Sequence, residues 1–148
     1  MRPTHLSAGV SAGAIVTDHE GRVLIVKPTY KPGWNLPGGH LDEGERPRQA
    51  CARELREEVG LDLKVGRLLV SAFIAAPGRP AHAYYLFDCG QLSAVEEQSI
   101  RLQEGELSEY RFSAPGDIPE SDIPPLARKM WEAALIARAE GRLLYVEV

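Results

Sequence analysis

Three glutamates, Glu54, Glu57 and Glu58, fall at i, i+3 and i+4 in the stretch GGHLDEGERPRQACARELREEVGL, residues 38 to 61. On a helix that turns ~100° per residue they project from one face. Like charges at that spacing destabilise an isolated helix by roughly 0.2–0.5 kcal/mol per pair, so the stripe calls for a countercharge. An oxygen-preferring divalent cation is the natural supplier. Cys51, Ala52, Leu55 and Val59 cluster ~130° away and give the same helix a face to bury, with Gln49 and Arg56 left to solvent. Arg53, at the edge of the acidic stripe, carries a planar fork able to brace a carboxylate.

Local signals delimit this helix. Pro47 suits the first turn, where a missing N–H is not needed, and Gly60 suits the left-handed position just past the end. Ahead of it, Pro37, Gly38 and Gly39 read as a tight loop whose backbone can approach a ligand closely. Exposed carbonyls beside a carboxylate helix suit a metal and a diphosphate.

The spacing also carries a resemblance. From Gly39 the chain runs glycine, five residues, Glu45, seven residues, Arg53, Glu54, Leu55, any residue, Glu57, Glu58, any residue, Gly60, Leu61. This resembles the signature of the Nudix hydrolases, the MutT-like family, at each of its nine fixed positions over 23 residues. A merely solvated acidic helix is the plainer alternative, but such a helix would mix charge signs on its face. The resemblance implies an α/β sandwich with a mixed central sheet between helices. It also implies hydrolysis of a phosphoanhydride with Mg²⁺, for which Mn²⁺ can substitute.

Carried over by position, the resemblance makes Glu57 and Glu58 metal ligands and Glu54 a ligand or the base. The Gly38 carbonyl would complete the inner shell, Gly39 would meet substrate, Arg53 would orient a glutamate, and Glu45 would brace the loop. An acid from outside the motif often joins such sites; Glu104 is the first choice, with Glu106 and Glu109 behind it. Arg46 departs from the pattern, standing where relatives often have a hydroxyl residue that caps the helix, a loss worth about 1 kcal/mol.

The rest of the chain reads as scaffold and selectivity. Its 148 residues suit one domain, residues 1 to 148, with a real core. A net charge of −4 without a basic tract argues against long nucleic acid as a partner. No apolar run approaches the ~18 residues of a membrane span. Leu6 to Val16 is weakly reminiscent of a signal peptide but reads better as a first strand, and the cytoplasm is the expected compartment. Cys51 and Cys89 show no CxxC spacing; Cys51 reads as a reduced core thiol, and Cys89 has no evident partner.

Strands are expected over residues 7 to 17, 23 to 26, 63 to 65, 68 to 76, 81 to 88, 110 to 112 and 143 to 148, the first two forming a hairpin. A brief extended piece is expected at Trp34 to Leu36, one helical turn near Val95 to Ser99, and a second long helix from Pro125 to Ala139. The edge of the last strand could pair with a second subunit to make a homodimer.

Tyr30, Trp34, Arg79, His82 and Tyr84 are the candidates for contacts to a base or sugar, although Trp34 also suits a core or pocket wall. Alternation would put His82 and Tyr84 on one side of their strand and Ala83 and Tyr85 on the other. Pro77, 16 residues past Leu61, is similar to a proline of ADP-ribose-cleaving relatives. The expected partner is thus a small nucleotide or nucleotide sugar: a nucleoside diphosphate linked to another group, or a nucleoside triphosphate. A non-catalytic nucleotide- or metabolite-sensing module on the same fold would be free to lose motif acids, yet all are present. A metal-dependent isomerase would need an active-site cysteine, which neither Cys51 nor Cys89 suggests.

Overall fold

The computed structural model describes residues 4–148. Seven strands form one mixed sheet: β1 (Ala8–Thr17), β2 (Val23–Pro28), β3 (Gly38–His40), β4 (Leu68–Ile74), β5 (Ala81–Gln91), β6 (Leu107–Ser113) and β7 (Leu144–Glu147). Their order is β6-β2-β1-β5-β4-β7, with β3 also pairing to β1. The helices are α1 (Pro47–Val59), the short α2 (Ala94–Gln98) and α3 (Pro125–Glu140). The result is an α/β sandwich, with α1 on one sheet face and α3 on the other. None of the described helices is long and apolar enough to cross a membrane.

Alternating side chains on the strands feed two apolar clusters. Ile15, Val23, Ile25, Val70 and Leu86 meet Ala127, Met130, Trp131, Ala134 and Ala137 of α3. Ala12, Ala14, Val16, Leu24 and Val26 meet Ala50, Cys51, Leu55 and Val59 of α1. Ala50 thus takes the buried place expected for Ala52, which is only half-buried.

β1 is the hub of the sheet. It pairs antiparallel with β2 at Thr17 and with β3 over Ser11 to Gly13, and runs parallel to β5 along its length. The β1–β2 turn is fixed by Asp18, whose carboxylate accepts from the N–H groups of Glu20 and Arg22 and from the Arg22 guanidinium. Burial pushes its pKa up, but those donors outweigh burial and hold it below the usual range. Near the same end of the sheet, Arg138 of α3 forks onto Asp88 of β5, at 2.8 and 3.2 Å, and donates to Thr17 Oγ1.

Several expectations change. Gly38 and Gly39 are strand residues, since their backbone pairs with β1. Leu63 and Val65 pack against the α1-side cluster outside any strand. Arg46 does take the N-cap position of α1, but Gln49 is not merely solvated: its side chain accepts from the Arg46 N–H at 2.9 Å. That contact offsets part of the missing hydroxyl cap. Cys89 does have a partner, because its sulfur lies 3.8 Å from that of Cys51, and both thiols are free and buried. β7 lies at the sheet edge, with Tyr145 and Val148 exposed beside it.

Candidate functional site

Two glycines bring α1 against β3. A Cβ on Gly39 would stand 2.5 Å from Glu54 Oε1, so only glycine lets that carboxylate lie on the strand. Gly38 has a φ of +150°, and a Cβ there would meet the carbonyl oxygen of Ala12 at 2.4 Å and Gly13 Cα at 2.6 Å. Its N–H donates to Glu58 Oε1 at 2.6 Å. Gly38→Ala is therefore expected to destabilise the protein by about 2–3 kcal/mol or more in urea denaturation, since backbone must move to admit the methyl. Gly116→Ala, with nothing within 4 Å, is the near-neutral control.

Arg53 organises the acids. Its guanidinium donates to Glu45 through Nε and Nη2 (2.8 and 2.9 Å), to Glu54 Oε1 and Glu57 Oε2 through Nη1 (3.0 and 3.1 Å), and to the His40 carbonyl through Nη2 (3.0 Å). The Arg53 hydrogen bonds, joined by the Asp42 N–H, lower the Glu45 pKa to about 2. One cation thus ties α1 to the segment that follows β3. A lysine has a single ammonium and cannot span these acceptors. Arg53→Lys is expected to lower turnover by roughly 10–100-fold, the usual cost of losing a group that orients metal-site ligands, and steady-state kinetics will measure it.

The three carboxylates are therefore not equivalent. Glu57 is exposed and turned to Arg53, and Glu54 is mostly covered. Burial raises the Glu54 pKa even though Arg53 opposes the shift. Glu58 has no cationic partner among the described salt bridges. Burial pushes its pKa up to about 8, with the charges of Glu54 and Glu57 adding to the rise and the Gly38 N–H opposing it. A half-buried carboxyl that accepts one N–H and has no cationic partner is one whose charged form a cation would stabilise, and carboxylate oxygens suit a hard divalent one. Among the described residues no three acidic, histidine or cysteine side chains already converge as a cage. Glu57 in particular would have to leave Arg53 to join an ion.

Glu54 and Glu58 line one wall of a cavity of about 500 Å³. Gly38, Gly39, Tyr30 and Tyr84 also line it, as the sequence reading anticipates for a substrate cavity. Arg53, Glu57 and Glu109 are outside this lining, and four other sequence candidates also stand elsewhere. Trp34 is buried in the α3-side core, with Arg111 4.7 Å above its ring. Arg79 is exposed in the turn before β5, and His82 lies outside the lining. Glu104 is exposed and outside the lining, whereas Glu106, two residues on, is part of it. The turn before β6 is tied to the end of β2: Thr29 Oγ1 donates to the Gly105 carbonyl at 2.7 Å and the Thr29 N–H to that of Glu106 at 2.9 Å.

Sequence reasoning missed Ser11, His40 and Gln103 in the lining. The Gln103 N–H donates to the Glu58 carbonyl at 2.9 Å, so this segment clamps the end of α1. No local pattern signals that contact.

The family model described as the NUDIX domain matches residues 8–135. The chain belongs to the Nudix family. Among Nudix relatives, it is 32% identical over 113 residues to the CTP pyrophosphohydrolase of Escherichia coli K12, covering 72% of this chain and 84% of that one. It is 35% identical over 105 residues to the ADP-ribose pyrophosphatase of Bacillus subtilis 168, covering 68% of this chain and about half (55%) of that one. The fold matches the crystal structure of a MutT protein from Methanosarcina mazei Go1 with a TM-score of 0.75 at 19% identity, over 92% and 99% of the two chains. It also matches a Nudix hydrolase from Nitrosomonas europaea with a TM-score of 0.77 at 22% identity, over 98% and 81%. Nudix hydrolases with these names act on pyrophosphate bonds, and a divalent metal is general in the family.

Proposed function

We propose that this protein is a Mg²⁺-dependent pyrophosphohydrolase acting on a small nucleotide, a nucleoside diphosphate joined to another group or a nucleoside triphosphate, and that residues 1 to 148 form one Nudix domain. The observation that carries the proposal is Glu58: a half-buried carboxyl without a cationic partner among the described salt bridges, beside Glu54, on the wall of a cavity large enough for a nucleotide. The relatives named as CTP and ADP-ribose pyrophosphatases bracket the substrate class.

Glu58, Glu54 and the Gly38 carbonyl would hold the ion, with Glu57 joining once released from Arg53. When bound, Mg²⁺ neutralises anhydride oxygens and lowers the pKa of a coordinated water. The rest of the chemistry belongs to the chain. Arg53 keeps Glu54 in one orientation, and burial makes Glu54 a better base than a solvated carboxylate. A water in line with the scissile P–O bond attacks phosphorus and gives its proton to Glu54. The bridging oxygen leaves with the other phosphate, so both products carry phosphate. Lys31, in the cavity lining, offsets phosphate charge, and Glu106 is the acid beyond the motif that faces the reaction.

Products from a panel of nucleoside triphosphates, nucleoside diphosphate sugars and ADP-ribose, assayed with Mg²⁺ and with excess chelator, test this reading. Turnover restricted to the Mg²⁺ arm is expected. Turnover that survives chelation, or tight nucleotide binding without any turnover, would overturn it, the latter in favour of a sensing module.

A further inference from the structure

Three aromatic rings stand in a row beside the cavity. His82 of β5 lies between His40 of β3, at 5.1 Å between ring centroids, and Tyr84 of β5, at 4.4 Å. Both planes are tilted by about 40° (41° and 39°). His82 is fixed from β1: Ser11 Oγ and His82 Nε2 share a hydrogen bond of 2.8 Å. Gly9 supplies the floor, since a Cβ there would stand 2.6 Å from His82 Nδ1. The strand register makes this possible, because Gly9 faces His82 and Ser11 faces both Tyr84 and His40. Burial and the neighbouring His40 lower the His82 pKa, which keeps the middle ring neutral at pH 7.

Of these groups, His40, Tyr84 and Ser11 line the same cavity as Glu54 and Glu58, and His82, outside the lining, contacts all three. His40 directly follows Gly39, the residue on which Glu54 lies. The acidic end and the ring end of the cavity are therefore joined by one short strand. Tyr84 also packs against the α3-side apolar core, which fixes that end of the row.

We infer that the ring row is a stacking subsite for a planar heterocycle, the base of the nucleotide whose phosphates meet Glu54 and Glu58, with Tyr84 and His40 in contact and His82 as the positioning residue that holds them. The inference rests on the pyrophosphohydrolase reading and adds where the base binds and how. Stacking on an aromatic face tolerates any base, because each has a π-face, so the subsite favours nucleotides as a class over base-free phosphates.

The first test uses the wild-type protein. Ring-proton NMR with nucleoside 5′-monophosphates, against ribose 5-phosphate, is expected to shift the Tyr84 and His40 resonances with the nucleotides only. Calorimetry with the same ligands is expected to show nucleotides binding at least ~10-fold tighter than ribose 5-phosphate. Tyr84→Leu and His82→Ala bring that ratio towards one, and Tyr84→Phe keeps it. In turnover, His82→Ala raises KM for a nucleotide substrate and leaves kcat near wild type, a split that a general loss of structure would not produce. Absent ring shifts, or a ratio unmoved in Tyr84→Leu and His82→Ala, would overturn the inference. The NMR arm decides even where a variant does not fold. Hydrolysis without ring shifts fails the stacking subsite alone; ring shifts without hydrolysis fail the pyrophosphohydrolase reading alone.

Discussion

Glu58→Gln is expected to lower kcat by about two to four orders of magnitude, and at pH 9 without metal the same variant is expected to melt several degrees above wild type. The first effect follows from removing a negative charge from the cation's donor set, where charge neutralisation at the anhydride is worth several kcal/mol. The second follows from the same burial. Glutamine has nearly the shape of glutamate, and its carbonyl can still accept the Gly38 N–H. It carries no charge to bury beside Glu54. Kinetics with Mg²⁺ and thermal melts with chelator, made on one preparation, measure both. A variant with full activity, or one less stable than wild type at pH 9, would show that Glu58 does not hold the uncompensated charge.

The metal-free protein is expected to lose stability as pH rises. Glu58 has a folded pKa of about 8 against an unshifted 4.5, so the native state binds this proton more tightly than the unfolded chain does. Its contribution is complete below pH 4.5, declines through the interval, and is gone above about 8. The shift sets an upper bound of about 4–5 kcal/mol, and less in practice for a partly solvated group. Glu45 and Asp18 have lowered pKa values, so their contributions are present above the ordinary carboxylate range and fall away only at lower pH. The lowered pKa of His82 makes stability rise with pH up to about 6.5, the opposite sign. The window is therefore pH 7 to 9, where the paired thiols also act with opposite signs, Cys89 being lowered and Cys51 raised, so Glu58→Gln is the reference that isolates the Glu58 share. Melting temperatures with chelator should fall across this window, and saturating Mg²⁺ should flatten the fall, because an ion that binds only the folded state stabilises it by mass action. A melting temperature that rises from pH 7 to 9 without metal would contradict the assignment.

How much of this could be read in advance depended on whether the signal was local. Pro47 and Gly60 marked the ends of α1 correctly because caps are decided within one turn. β1 and the start of β2 were legible from their β-branched run and the polar turn between them. Gly38 and Gly39 looked like a loop because paired glycines lack strand propensity; their strand character comes from β1, some 25 residues away in sequence. Leu63 and Val65 had strand composition but found apolar contacts and no ladder. The acidic stripe was visible, yet its division was not: Arg53 neutralises Glu54 and Glu57 and leaves Glu58, which depends on where β3 lies. That Glu106 and not Glu104 lines the cavity was not legible either, since the turn is tied by Thr29, just past β2 on the other side of the motif. Trp34 was drawn into the α3-side core, and the ring row was assembled from three strands at once.

Ser11 and Gly13, two residues apart on β1, anchor the ring row and the glycine strand respectively, a separation of about 7 Å along the chain. On the proposed reading, this strand would set the spacing between the heterocycle and the anhydride. Molecules whose two ends are spaced differently would then meet a fixed backbone, and discrimination by length would need no moving part.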